Sequence, residues 1–74
     1  MNYQVNVVLN KDENGYYANC PALSGCQSQG DTFEEAMANI REVIELYLET
    51  LSEEEIQASL TKETVTATVE VSIP

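Results

Sequence analysis

With 74 residues the chain has room for one domain, spanning 1–74, and a small core. A net charge of −10, thirteen acids against three Lys and Arg, disfavours nucleic acid and anionic membranes, whose affinity is carried by basic side chains. The absence of histidine excludes imidazole acid–base chemistry and most zinc sites.

Residues 3–9 alternate, with Tyr3, Val5, Val7 and Leu9 on one face, and predict a half-buried strand. Lys11-Asp12-Glu13-Asn14-Gly15 follows, and Asn-Gly predicts a hairpin because both residues tolerate positive φ. A second strand is expected over 16–20, with Tyr16, Ala18 and Cys20 on one face and Tyr17 and Asn19 on the other. Pro21 through Gly25 reads as a connector, and the polar run 26–29 as a short strand at an edge or with an exposed face.

Thr32 and Glu35 form a T-x-x-E capping box that opens a long helix, expected to stop near Ser52. Phe33, Ala36, Met37, Ile40, Val43, Ile44, Tyr47, Leu48 and Leu51 recur at spacings of three and four and form its apolar stripe, with Leu46 off it. Ser52-Glu53-Glu54-Glu55 reads either as the cap of a second helix reaching Leu60 or as a charged loop. Val65, Ala67, Val69, Val71 and Ile73 alternate with polar residues and predict a last strand ending at Pro74.

The expected fold class is therefore α+β: a small β-β-β-α-β domain with one sheet covered on one face by the long helix. A right-handed crossover would lay the last strand parallel to the first, in sheet order 4-1-2-3.

The acids do not converge as a phosphoryl-transfer metal site requires, because the first two strands carry none between Tyr3 and Leu9 or between Tyr16 and Cys20. Their cluster in 53–55 reads as a solvated face or a partner surface. Cys20 and Cys26 lack zinc or redox spacing and read as small, reduced core side chains. No phosphate-cradling glycine motif occurs, so no cofactor, metal or catalytic residue is expected. Tyr16 and Tyr17 lie on opposite faces, so one of them points away from the helix-covered side and is either a strand-packing residue or an interface anchor; Tyr17 is the candidate anchor. No signal peptide or bilayer-length apolar run is present, so a cytoplasmic location is expected.

Three segments taken together, Asp12-Glu13-Asn14-Gly15-Tyr16-Tyr17, Cys20-Pro21-Ala22-Leu23-Ser24-Gly25-Cys26 and Gly30-Asp31-Thr32-Phe33-Glu34-Glu35-Ala36, resemble the HicB antitoxin family. The following helix, Asn39 through Leu48, matches as well, so the resemblance covers about residues 3–50. It implies a partial ribonuclease-H-like fold without the nuclease site. It also implies that the chain binds and occludes HicA, a small basic toxin that cleaves mRNA. An acidic chain complements a basic partner on charge alone. Many family members carry a C-terminal DNA-binding domain; here the chain stops at Pro74, and no operator binding by this chain itself is expected.

The residues expected to meet the partner are Asp12, Glu13, Tyr17, Asp31, Glu34 and Glu35. The competing reading is a homo-oligomeric structural or regulatory protein of the same fold without a toxin. A homodimer or higher homo-oligomer is compatible with both readings, since open sheet edges invite pairing. An acid-dependent hydrolase is the least favoured reading.

Overall fold

The computed structural model describes residues 2–61, 63 and 65–74. Three strands, β1 (Val8–Asp12), β2 (Gly15–Asn19) and β3 (Gln27–Gly30), precede two helices, α1 (Phe33–Glu49) and α2 (Glu53–Leu60). The strands form an antiparallel sheet in the order β1-β2-β3. Leu9 stands opposite Ala18, and Tyr17 lies between Asn10 and Gln29. The fold class is α+β, as expected.

The hairpin turn sits one step from where the Asn-Gly pair predicts it. Asp12 still pairs with Gly15, so Glu13 and Asn14 make the turn. Among the described residues positive φ is confined to glycine, +138° at Gly15, and Asn14 does not share it. The Asp12 carboxylate instead accepts the Asn14 amide at 2.8 Å, a side-chain bond that shapes the turn without a left-handed residue.

The first ladder begins at Val8 rather than at Tyr3. Residues 2–7 overhang the hairpin because β2 ends opposite Val8. Their alternation survives: Tyr3, Val5, Val7 and Leu9 are half-buried, and Gln4, Asn6 and Val8 are exposed. Period two thus sets the facing of this segment even where no ladder forms.

The connector between β2 and β3 is a structured part of the core. The Leu23 amide donates to the Cys20 carbonyl, the Cys26 amide to the Leu23 carbonyl, and the Cys20 amide to the Cys26 carbonyl at 3.0 Å. This closed loop drives Leu23 inward to 1% exposure, beside buried Cys20 and Cys26. Both cysteines are free thiols.

α1 starts as its sequence predicts. The Thr32 hydroxyl accepts the Glu35 amide at 3.1 Å, while the Glu35 carboxylate accepts from Asp31 at 3.4 Å instead of from Thr32. Ala36, Ile40 and Ile44 are buried, Met37, Val43, Tyr47 and Leu48 half-buried, and Leu46 is exposed. Phe33 departs from the stripe at 49% exposure and meets the Tyr16 ring edge-on, centroids 6.3 Å apart. The helix stops at Glu49, earlier than Ser52, with the Thr50 amide on the Tyr47 carbonyl. Its last turn holds no base to complement the dipole.

Residues 53–60 are helical, which settles the open choice between helix and loop. The Ser52 hydroxyl accepts the Glu55 amide at 3.1 Å and the Glu55 carboxylate accepts the Ser52 amide at 2.9 Å, a complete capping box. Buried Ile56 and half-buried Leu60 lie on the inward side of α2.

The expected last strand is not formed. Among the described residues 65–74 none belongs to a strand and all are exposed; Thr64 lies outside the described residues. The sheet order 4-1-2-3 is therefore corrected to β1-β2-β3, with β1 as well as β3 at an edge. The physical reason is that alternation specifies an extended conformation and a buried face but not the edge that receives it. Without the parallel fourth strand, the ribonuclease-H-like expectation reduces to a three-stranded antiparallel sheet under a helix.

Candidate functional site: the acidic end of the sheet

One face of the sheet is covered and the other open. α1 lies over β3 and β2, and the Asn39 side-chain amide donates to the Gln29 carbonyl at 2.8 Å. On the opposite face stand Val8, Asn10 and Asp12 from β1, Tyr17 and Asn19 from β2, and Gln27 and Gln29 from β3. Tyr17 is the aromatic residue on that face, 39% exposed, between amide side chains.

The hairpin turn meets the start of α1 at one end of this sheet. A Cβ placed on Gly15 would stand 2.8 Å from the Gly30 carbonyl oxygen and 3.7 Å from the Asp31 Cα. That close approach brings Asp12 and Glu13, on one side of Gly15, to the end of the molecule where Asp31 follows β3 and Glu34 and Glu35 open α1. All five carboxylates are on exposed residues. The acids of the first helical turn also face the positive end of the α1 dipole.

A shallow depression of about 610 Å³ crosses this end. Tyr17, Asp31 and Glu35 line it together with Tyr16, Gln29 and Asn39. Asp12, Glu13 and Glu34 do not line it. Lys11 is turned onto the neighbouring Tyr16 ring, its Nζ 5.6 Å from the ring centroid, so that it covers an aromatic face as a cation–π partner.

Sequence reasoning missed Asn39 and Gln29, which line the depression and tie helix to sheet. Asn39 sits on α1 between the half-buried Met37 and the buried Ile40. A polar residue placed there signals a hydrogen bond, but its partner is a backbone carbonyl ten residues away. Among the described residues no polar or charged side chain is buried, and no group of three acids and thiols gathers as metal ligands. The arrangement presents charge and shape to a partner rather than a desolvated acid or base.

A family model described as the HicB_like antitoxin of bacterial toxin-antitoxin systems matches residues 3–72. The chain belongs to the HicB-like antitoxin family. The match extends past residue 50, where the resemblance in the motifs ends, through α2 and into the exposed C-terminal segment. A UPF0150 protein of Helicobacter pylori strain J99 is 48% identical over 68 residues, covering 92% of this chain and 94% of that protein. A UPF0150 protein of Synechocystis is 60% identical over 50 residues, 66% of this chain and 63% of that protein. An uncharacterised 14.9 kDa protein of Haemophilus phage HP1 is 37% identical over 49 residues, 66% of this chain and 37% of that protein. No solved structure matches this chain significantly.

Proposed function

We propose that this HicB-like chain is a non-catalytic antitoxin that binds and occludes a small basic HicA-type mRNA-cleaving toxin. The observation that carries the reading is the gathering of Asp12, Glu13, Asp31, Glu34 and Glu35 at one end of the sheet, beside the exposed ring of Tyr17. Carboxylates so placed would steer a cationic partner to this end and hold its register. Tyr17 would supply area at low entropic cost in the centre of the contact. Steric cover, not chemistry, would then keep RNA from the toxin. The same negative field leaves no role for direct nucleic-acid binding by this chain and does not require a cofactor.

The test is co-expression with a small basic protein encoded beside this chain, followed by RNA cleavage with and without the complex. A stable complex with cleavage suppressed is the expected result. Glu13→Lys with Glu34→Lys should weaken it by about tenfold or more, and Tyr17→Ala by a similar factor, with the fold retained. Cleavage untouched by the bound chain would sink the occlusion mechanism.

The second reading is a homo-oligomeric structural or regulatory protein without a toxin. The exposed apolar alternation over 65–73 favours it. A complex with no basic protein, together with a stable self-assembly, would move the function to that reading.

A further inference from the structure

Two features of the described chain are complementary and unmatched. The first is the segment 65–73, which belongs to no helix or strand and on which Val65, Val69, Val71 and Ile73 are 74–88% exposed. Thr66, Thr68, Glu70 and Ser72 occupy the opposite side of the alternation. A lone strand in water has neither a ladder nor a covered face, and such an apolar stripe marks a contact surface.

The second feature is a groove of about 810 Å³ between residues 2–7 and α1. Val5, Val7, Met37, Ile40, Ile44 and Leu48 line it, edged by Arg41 and Glu45. It exists because α1 lies over β3 and β2 and leaves the β1 side of the sheet uncovered. Residues 2–7 belong to no ladder, so their backbone groups are available to a neighbouring strand.

We propose that segment 65–73 of one copy occupies this groove on a second copy, beside residues 2–9, and that the reciprocal exchange closes a two-fold dimer. The lengths agree, since nine extended residues span about 30 Å and residues 2–9 about 26 Å. The periods agree as well: apolar residues recur at every second position in both segments. One chain carries both halves of the contact, so a single two-fold operation satisfies both arms and both grooves and leaves nothing to propagate.

The shape of the monomer favours a second copy over the arm's own groove. The radius of gyration is 14.7 Å and the long axis 50 Å. A compact chain of this length has a radius of about 11 Å. The arm is held away from the body, and every described residue from 63 to 74 is exposed. The area is also adequate. A standard dimer buries about 1,600 Å² in total, so each of two arms and two grooves must lose about 400 Å². Five apolar side chains on one arm meet that requirement at about 80 Å² each.

This inference stands apart from the toxin reading, and salt separates them. Two chains of charge −10 repel, so added salt should tighten the self-association. Acid–base contact with a basic toxin should loosen under the same change.

The experiment is sedimentation equilibrium of the full chain at micromolar concentration. A particle of twice the 8.2 kDa chain mass is expected. Val69→Asp with Val71→Asp should raise the dissociation constant about a hundredfold or more while circular dichroism keeps its helical signal. A monomeric parent chain, or a variant that dimerises as tightly, would overturn the proposal. Oxidation of chains carrying Val69→Cys with either Val5→Cys or Val7→Cys locates the arm independently. A covalent dimer in either pairing supports the exchange. An internally linked monomer, or no link in either pairing, overturns it.

Discussion

Leu23 is the residue on which the small core turns. Its side chain is 1% exposed, and three backbone hydrogen bonds of the 20–26 loop hold it there. Leu23→Ala should cost about 2–5 kcal/mol, from a total stability that for a chain of this length is about 4–11 kcal/mol. A urea midpoint close to the parent value would show that the loop is not part of the core. Gly30 is needed for a different reason. A Cβ there would stand 2.5 Å from the Ala36 nitrogen and 2.9 Å from the Glu35 carbonyl carbon. Both obstacles are backbone, so α1 would have to lift off the end of β3. Gly30→Ala should therefore lower the melting temperature more than Gly25→Ala, whose Cβ meets nothing within 4 Å and whose strain comes only from φ +85°. Equal melting temperatures would remove the close-packing argument. Cys26 is a buried thiol. Desolvation, and then the neighbouring Cys20, push its thiol up. An acid raised in the folded state holds its proton there while the unfolded chain releases it, so this group's stability is intact below the unfolded thiol value and is lost as pH climbs through the folded one. The burial of Cys26 was legible in its residue type, but the roles of Leu23 and Gly30 were not. Leu23 sits in a stretch whose Pro, Ser and Gly mark a connector, and only the closed hydrogen-bonded loop turns it inward.

At the scale of the element, the caps were legible and the ladders were not. Thr32-x-x-Glu35 and Ser52-x-x-Glu55 each begin a helix because the bonds involved are local, three residues apart. Thr32→Ala should cost about 1 kcal/mol, read as a lowered denaturant midpoint with the slope unchanged. In the second box the Ser52 amide, and then its hydroxyl, hold the Glu55 carboxyl below the usual glutamate range. A depressed acid contributes stability above its unfolded value and loses it as pH falls through the folded one. The protection of α2 amides against hydrogen exchange should therefore fall below the usual glutamate range, and Glu55→Gln should flatten that dependence. Unchanged protection in the parent chain across that range would rule out the box as the switch. Strand limits are another matter. β1 runs Val8–Asp12 rather than 3–9, because a strand exists only where a partner lies opposite, and β2 offers one only as far as Asn19. Phe33 has the spacing of a core residue, yet it lies at the first position of α1, beyond the sheet's cover, and settles on Tyr16.

For the molecule as a whole, charge is the property that acts at a distance. Thirteen acids against three bases set the sign of every encounter, and five of them, Asp12, Glu13, Asp31, Glu34 and Glu35, give the hairpin end of the sheet its share of that field. Binding to a basic partner through this end should weaken about tenfold or more as salt rises from dilute to several times physiological. Calorimetric titrations at two ionic strengths would check it, and nearly salt-independent affinity would move the contact to the apolar parts of the surface. The described residues also contain no helix long and apolar enough to cross a membrane. Of the candidate site, the acids and Tyr17 could be named from sequence because charge and strand facing are local properties. That Tyr17, Asp31 and Glu35 share a depression with Asn39 and Gln29 depends on how α1 lies across β3.

The amino-acid sequence by itself determined the α+β class, the hairpin, the start of the long helix, the inward faces and the acidic character, because each follows from residue type and spacing within a few positions. Its motifs also identified the family. Tertiary structure decided which segments found partners. It drew Leu23 into the core, folded 53–60 as a helix, brought the acids of the hairpin to the same end as those at the start of α1, and left 65–73 outside the sheet. A period-two pattern carries a conformation and a face, whereas the edge that receives a strand is set by the geometry of the rest of the molecule.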